Sequence, residues 1–181
     1  MYTKEEYREL LRVEVYGTKK LGLLARYDRR HRNPSTNAVY LMRKMQYYAG
    51  RGWLGRIISR RAQIKLVRRY NIFVGKNTII GKGISFPHPT GIIIGQTVQI
   101  GERCKIFQGV TVGSRNNGDW KQGLQPHIGN DCTLFSGCAV IGAVTLGDKT
   151  IVGANAVMRC DSEPGSVWAG IPAREIKRGQ V

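Results

Sequence analysis

The chain has 181 residues, 41% of them hydrophobic and 23% charged: enough apolar material for one folded domain and too much for a disordered chain. Its net charge of +17 implies an anionic partner, such as phosphate-bearing small molecules, a lipid surface or nucleic acid. Apolar runs such as Ile92-Ile93-Ile94 are far too short to span a bilayer, and Met1 to Leu10 lacks the apolar segment of a signal peptide, so a cytoplasmic location is expected.

The first third is basic and helical. Residues 1–70 hold 18 Lys and Arg against 5 Asp and Glu, a net +13, which leaves +4 for the rest. This asymmetry sets an expected boundary near Tyr70. Tyr2 to Val15 has helical character, with Glu5, Glu6 and Glu9 placed early to suit the helix dipole. Asn33-Pro34-Ser35-Thr36 is expected to turn the chain into a helix over Asn37 to Tyr48, and a third helix is expected from Trp53 to about Arg69. His31, inside Asp28-Arg29-Arg30-His31-Arg32, is expected in a solvated basic turn. Trp53, Leu54, Ile57, Ile58, Ile64 and Val67 form an apolar stripe among arginines. It suits either a packed cap on an oligomer or peripheral contact with an anionic membrane. The packed arrangement is the one expected.

From Val74 onward the period changes to six. An apolar residue recurs at Val74, Ile80 and Phe86, then at Ile94, Ile100, Ile106 and Val112, then at Ile128, Leu134, Val140, Leu146, Val152 and Met158. Glycine often follows it, and a small or β-branched residue often stands four places on, as at Thr78, Cys104, Cys132 and Ala156. Six residues match neither a helix turn nor strand alternation. They match a solenoid in which three flat faces make one triangular coil and the apolar residue of each face stacks on its counterpart one coil away. The fold class expected is therefore mainly β, a parallel β-helix over residues 71–165 behind an α-helical region over 1–70, with a closing tail over 166–181. The four cysteines have no C-x-x-C spacing, so neither zinc nor any other metal is expected, and three of them occupy the small inward position of the repeat.

Two interruptions of the register mark the expected functional face. The first is Pro87-His88-Pro89-Thr90-Gly91. The second is the loop 114–127, rich in Gly, Asn and Asp around Trp120. Only three histidines exist, His31, His88 and His127. His88, held between prolines at the break, is the expected general base, and His127, Trp120 and Asp119 are expected near an acceptor. The role of His127 stays open between a second site residue and a corner histidine.

The hexads, the H-P-T-G of His88 to Gly91 and the A-G-I-P-A-R of Ala169 to Arg174 resemble the left-handed β-helix, hexapeptide-repeat acyltransferases, and within them the serine acetyltransferase-like branch. That resemblance implies a homotrimer, acetyl-coenzyme A as donor, and His88 as general base. It assigns coenzyme A to Gly113, Ser114, Ser136, Gly137 and Ala154, with Arg174, Lys177 and Arg178 near its phosphates. The chain departs from the serine enzymes at four positions. Pro87 and Phe73 stand where aspartates are expected, and Leu124 and Gln125 where an arginine and a second histidine are expected. Those departures favour the relatives that acetylate sugar hydroxyls in capsule, exopolysaccharide or lipopolysaccharide pathways. Serine O-acetyltransferase is the alternative. A basic nucleic-acid- or membrane-binding protein without enzymatic activity is the remaining one, and no nucleic-acid partner is expected.

Overall fold

The computed structural model describes residues 2–17 and 21–177. Helix α1 (Lys4–Leu11) starts from a capping box in which Thr3 Oγ1 accepts from the Glu6 N–H at 3.1 Å and Glu6 Oε2 accepts from the Thr3 N–H at 2.6 Å. It runs on as a π-helical turn, Arg12–Tyr16. Helix α2 (Leu23–His31) follows, then α3 (Pro34–Tyr48), with Asn33 as its N-cap and Pro34 in its first turn. Helix α4 (Gly52–Tyr70) ends at Asn71, which turns the chain in the left-handed conformation.

Helix α2 stands where the sequence suggested only a basic turn, so His31 closes a helix. Its apolar residues Leu23 and Leu24 are 84% and 87% exposed, so no inward stripe announces it. The apolar stripe on α4 is left uncovered within a single chain. The face turned toward α3 carries Gly55, Ala62, Leu66 and Tyr70, while Trp53 is 65% exposed and Leu54, Ile57, Ile64 and Val67 also face outward. Within the chain, then, Trp53 is not packed.

Strands begin at Phe73. One face of the solenoid stacks β1 (Phe73–Val74), β3 (Ile93–Ile94), β6 (Thr111–Gly113), β9 (Ala139–Ile141) and β12 (Val157–Met158). The second stacks β2 (Ile79–Ile80), β4 (Gln99–Ile100), β7 (His127–Ile128) and β10 (Thr145–Leu146). The third stacks β5 (Lys105–Ile106), β8 (Thr133–Leu134), β11 (Ile151–Val152) and β13 (Val167–Ala169). The antiparallel β14 (Arg174–Lys177) closes its open edge. All other pairings are parallel, and each lays one hexad residue on the next: Val74 on Ile94, Ile94 on Val112, Val112 on Val140, Val140 on Met158. All thirteen hexad residues named above are buried, as are the small residues four places on.

The corners explain the glycines. A Cβ on Gly75 would lie 2.4 Å from the backbone nitrogen of Gln96, so adjacent coils approach too closely there for any side chain. The inward cysteines donate to carbonyls of the next coil, Cys104 Sγ to Gly129 at 3.1 Å and Cys132 Sγ to Gly147 at 3.2 Å.

The helical region and the first coil are joined by a buried ion pair. Arg43 Nε and Nη2 each reach a Glu14 carboxylate oxygen at 2.8 Å, with neither side chain exposed. Arg43 Nη1 also donates to the Ile80 carbonyl at 2.8 Å and Nη2 to the Gly81 carbonyl at 2.6 Å, while Glu14 accepts from the Gly83 N–H at 2.8 Å.

Candidate active site

His88 lies where the chain turns from the third face into the first. The successive coils place Gly91, Gly109, Gly137 and Asn155 at this corner, all with positive φ. They are laced by hydrogen bonds from Gly109 N–H to Thr90, Gly137 N–H to Gln108 and Asn155 N–H to Ser136.

The histidine segment is fastened at several points. Ser35 Oγ, in the first turn of α3, donates to the Pro87 carbonyl at 2.9 Å. The Thr90 N–H donates to the His88 carbonyl at 2.8 Å, and the Gly91 N–H to the Tyr70 carbonyl at 3.1 Å. Pro89 is buried, and the His88 side chain is exposed. Two fixed proline torsions and these bonds leave the backbone little freedom while the imidazole stands in solvent. Its ring centroid is 6.0 Å from that of Phe107, which stacks on Phe135 at 5.1 Å. Among the described residues no group is hydrogen-bonded to the imidazole.

Ser136, Gly137 and Ala154 share this corner with His88. Among the described residues, the backbone N–H groups of Gln108, Ser136 and Ala154 make no hydrogen bond and remain available to a ligand. Gly137 has φ +69°, and a Cβ on it would meet Asn155 Oδ1 at 2.3 Å. Sequence reasoning missed Gln108. Its amide oxygen is buried without a partner, a costly state in a protein interior. The signal was present in the repeated tripeptides Phe107-Gln108-Gly109 and Phe135-Ser136-Gly137, which fall one coil apart.

The remaining candidates lie elsewhere. Gly113 and Ser114 are at the next corner, between the first and second faces, where the loop 114–127 leaves the solenoid. Within it, the short 3-10 helix Asp119–Gln122 holds Trp120 half-buried beneath Lys121, whose ammonium is 5.7 Å from the ring centroid. Asp119 is occupied locally, accepting from the Asn116 N–H at 2.7 Å. His127 is exposed on the second face, between Gln99 and Thr145. Gln125 is buried in the same loop, its Oε1 unpartnered. In a single chain the structure therefore does not bring His88 together with His127, Trp120 or Asp119; the first face lies between them. Arg174 is exposed on β14. The side chain of Lys177, and Arg178 altogether, lie outside the described residues.

Among the described residues, no group of His, Cys, Asp or Glu could hold a metal ion, and no helix is long and apolar enough to cross a membrane.

No family model matches the chain. It is 37% identical over 99 residues to a serine acetyltransferase of Helicobacter pylori, an alignment covering 55% of the chain and 57% of the relative. The chain thus spans little more than half the length of that relative. Its structure superposes on that of a serine acetyltransferase from Neisseria gonorrhoeae with a TM-score of 0.77, covering 98% of this chain and 69% of the other at 19% identity. It also superposes on a serine acetyltransferase in complex with CoA, with a TM-score of 0.64 over 76% of this chain and 56% of the other at 23% identity. The chain carries a left-handed parallel β-helix behind a helical region.

The expected sugar or polysaccharide acceptor is corrected by these likenesses. The relatives are named serine acetyltransferases, in Mycobacterium tuberculosis and Bacillus subtilis as well as in Helicobacter pylori. The sugar expectation rested on residues absent from the serine pattern at positions 73, 87, 124 and 125. Four missing residues do not constitute a recognition motif for a sugar.

Proposed function

We propose that this chain is an acetyl-coenzyme A-dependent O-acetyltransferase whose acceptor is the hydroxyl of serine. The observation that carries this reading is the firmly held, solvent-facing His88 beside a corner with unpaired backbone N–H groups, in a chain that resembles serine acetyltransferases over 99 residues.

An alcohol is a weak nucleophile near neutral pH and needs a base at hand. His88 accepts the hydroxyl proton as the serine oxygen attacks the thioester carbonyl. The tetrahedral oxyanion is held by corner N–H groups such as those of Gln108 and Ser136, a contribution of about 3 kcal/mol for one well-aimed donor. The intermediate then collapses. The C–S bond breaks, the coenzyme A sulfur leaves, and it takes the proton back from the imidazolium. Ser136, Gly137 and Ala154 line the run of the pantetheine arm, with Arg174, Lys177 and Arg178 toward the phosphates. Residues that the serine enzymes use are missing here, so the acceptor carboxylate must meet another cation. Arg115 and Lys121, exposed on the loop 114–127, supply that charge in this reading.

A homotrimer completes the site. The outer column of the first face is Phe73, Ile93, Thr111, Ala139 and Val157, one registered stack, with Phe73 and Ile93 44% and 46% exposed. Covering this face with a second subunit would bring that subunit's loop, with Trp120, Asp119 and His127, toward His88, and its Gly113 and Ser114 toward the coenzyme.

Release of coenzyme A thiol from acetyl-coenzyme A, measured with and without L-serine, tests the reading. Serine-dependent release is expected. If L-serine gives no release above background while coenzyme A binds, the acceptor is wrong; if coenzyme A does not bind, the enzyme class is wrong.

A further inference from the structure

Away from His88, α2, α3 and α4 enclose a cavity of about 1000 Å³. Its walls carry the cations Arg30, Lys44, Arg61, Lys65, Arg68 and Arg69, and no carboxylate lines it. Among the described residues none of these cations forms a salt bridge, although Glu9, Glu14, Glu102 and Asp131 elsewhere all do. So many uncompensated cations around one cavity repel one another, and a multiply charged anion relieves that repulsion.

The cations are also held in place. The Arg30 guanidinium lies over the Tyr40 ring, 4.4 Å from its centroid, and hydrogen-bonds the Tyr40 hydroxyl. Its Nε is buried with no partner. Arg69 Nη1 reaches Asn37 Oδ1 at 3.5 Å, and that oxygen also accepts from the Tyr70 hydroxyl at 2.7 Å. Asn37, 2% exposed, anchors the floor by donating to the Arg30 carbonyl. The His31 pKa is lowered, first by burial and then by the cations Arg30, Lys65, Arg69 and Lys44, which is the local field these residues create. Exposed Ile64 on α4 gives the cavity an apolar rim, and a smaller cavity that shares Arg30 and His31 with it is lined by exposed Leu23 and Tyr27 of α2.

We infer that this cavity is a binding site for a ligand bearing two or more phosphate charges, separate from the acetyl-transfer site. Phosphate suits a fork of guanidinium donors better than a single carboxylate does. The ligand's source is either a soluble phosphorylated molecule or the headgroup of an anionic lipid, whose chains the apolar rim would meet.

Titration calorimetry of the full chain with inorganic pyrophosphate at physiological salt tests the site. Cosedimentation with vesicles of phosphatidylcholine alone, or of phosphatidylcholine and phosphatidylglycerol in equal parts, tests the source. Pyrophosphate binding is expected, weakened at least about tenfold by Arg61→Glu with Lys65→Glu, since a charge-assisted hydrogen bond is worth about 1.5–3 kcal/mol. Arg56→Glu with Arg60→Glu changes the net charge equally on residues that do not line the cavity, and should leave affinity within about twofold. Both pairs should keep the wild-type melting temperature within a few degrees. Binding to the anionic vesicles that pyrophosphate displaces assigns the phosphate to a lipid, and pyrophosphate binding without vesicle binding assigns it to a soluble molecule. Failure to bind either probe, or equal weakening by the two pairs, overturns the site and leaves only a diffusely basic surface. None of these outcomes depends on acetyl transfer.

Discussion

Arg43 and Glu14 meet in a doubly hydrogen-bonded ion pair with no exposed surface on either side chain, at the seam between the helices and the first coil. Each partner is further committed to the solenoid backbone, Arg43 to the carbonyls of Ile80 and Gly81 and Glu14 to the N–H of Gly83. Removing the arginine leaves a buried carboxylate with no countercharge and only the Gly83 N–H as partner, and takes a donor from each of the two carbonyls. Arg43→Met should therefore destabilise the protein by about 3–5 kcal/mol, measured by urea unfolding. Loss of under ~1 kcal/mol would mean that water replaces the guanidinium and the seam is not closed.

The general base gives the second prediction. His88→Ala should slow acetyl transfer about 10²–10⁴-fold, because a positioned base contributes that much to proton removal from an alcohol. The side chain is exposed and makes no hydrogen bond among the described residues, so the melting temperature and coenzyme A affinity should hardly change. Near-normal turnover in this variant would move the base elsewhere, with His127 next to be replaced.

What the sequence revealed follows from where its periodicity came from. The hexads were legible because one aliphatic per face must stack on the next, so Val74, Ile94, Val112, Val140 and Met158 hold a register that the chain itself displays. Helix α2 was not legible, since Leu23 and Leu24 point to solvent and leave no inward stripe. The separation of His88 from Trp120 and His127 was hidden for another reason: neighbourhood at a corner is set by the winding of the coils, which linear spacing does not record. The acceptor was misjudged because it depends on a few side chains around position 124, where absence of a residue says nothing about its replacement.

The cysteines allow a chemical check of the packing. Cys104, Cys132 and Cys138 are buried and Cys160 is exposed. Burial pushes the Cys138 thiol up to about 12, and the neighbouring Cys104 thiol together with burial raises that of Cys132. The Cys104 thiol is lowered by its hydrogen bond with Cys132, and burial alone shields it, so a disulfide reagent at pH 8 should modify one thiol per native chain and four after denaturation. Rapid modification of two or more in the native protein would contradict the stacked interior.

Acid stability should report the contact between α1 and the first coil. Glu9 bonds Arg12 at 2.6 Å and Lys82 at 2.9 Å, and these partners lower its pKa from 4.5 to about 2. A carboxylate with a depressed folded-state pKa stabilises the fold above its unfolded value, and that stabilisation is lost as pH falls through the folded value. The difference in stability between wild type and Glu9→Gln should be constant above about pH 5 and shrink between about pH 4.5 and 2. The pair is exposed, so the difference should also diminish in high salt. A difference that grows on acidification would have the wrong sign for this contact.

Ser35 connects the helices to the chemistry. Its hydroxyl, in the first turn of α3, donates to the Pro87 carbonyl, one residue before the proposed base. Neither Pro87 nor Pro89 has an N–H of its own, so the segment has few ways to fix itself and depends on bonds supplied from outside. Ser35→Ala removes one of them and should cost about 1 kcal/mol of stability, the usual net worth of such a bond. Its larger effect should be kinetic. A base displaced by a fraction of an ångström transfers protons less well, so kcat should fall several-fold while KM for acetyl-coenzyme A stays constant, because the proposed coenzyme site lies on the later coils and not on this segment. Ser35→Thr keeps the hydroxyl and should recover most of the rate. Equal changes in kcat and KM, or no recovery with threonine, would show that Ser35 only packs the seam and does not position His88.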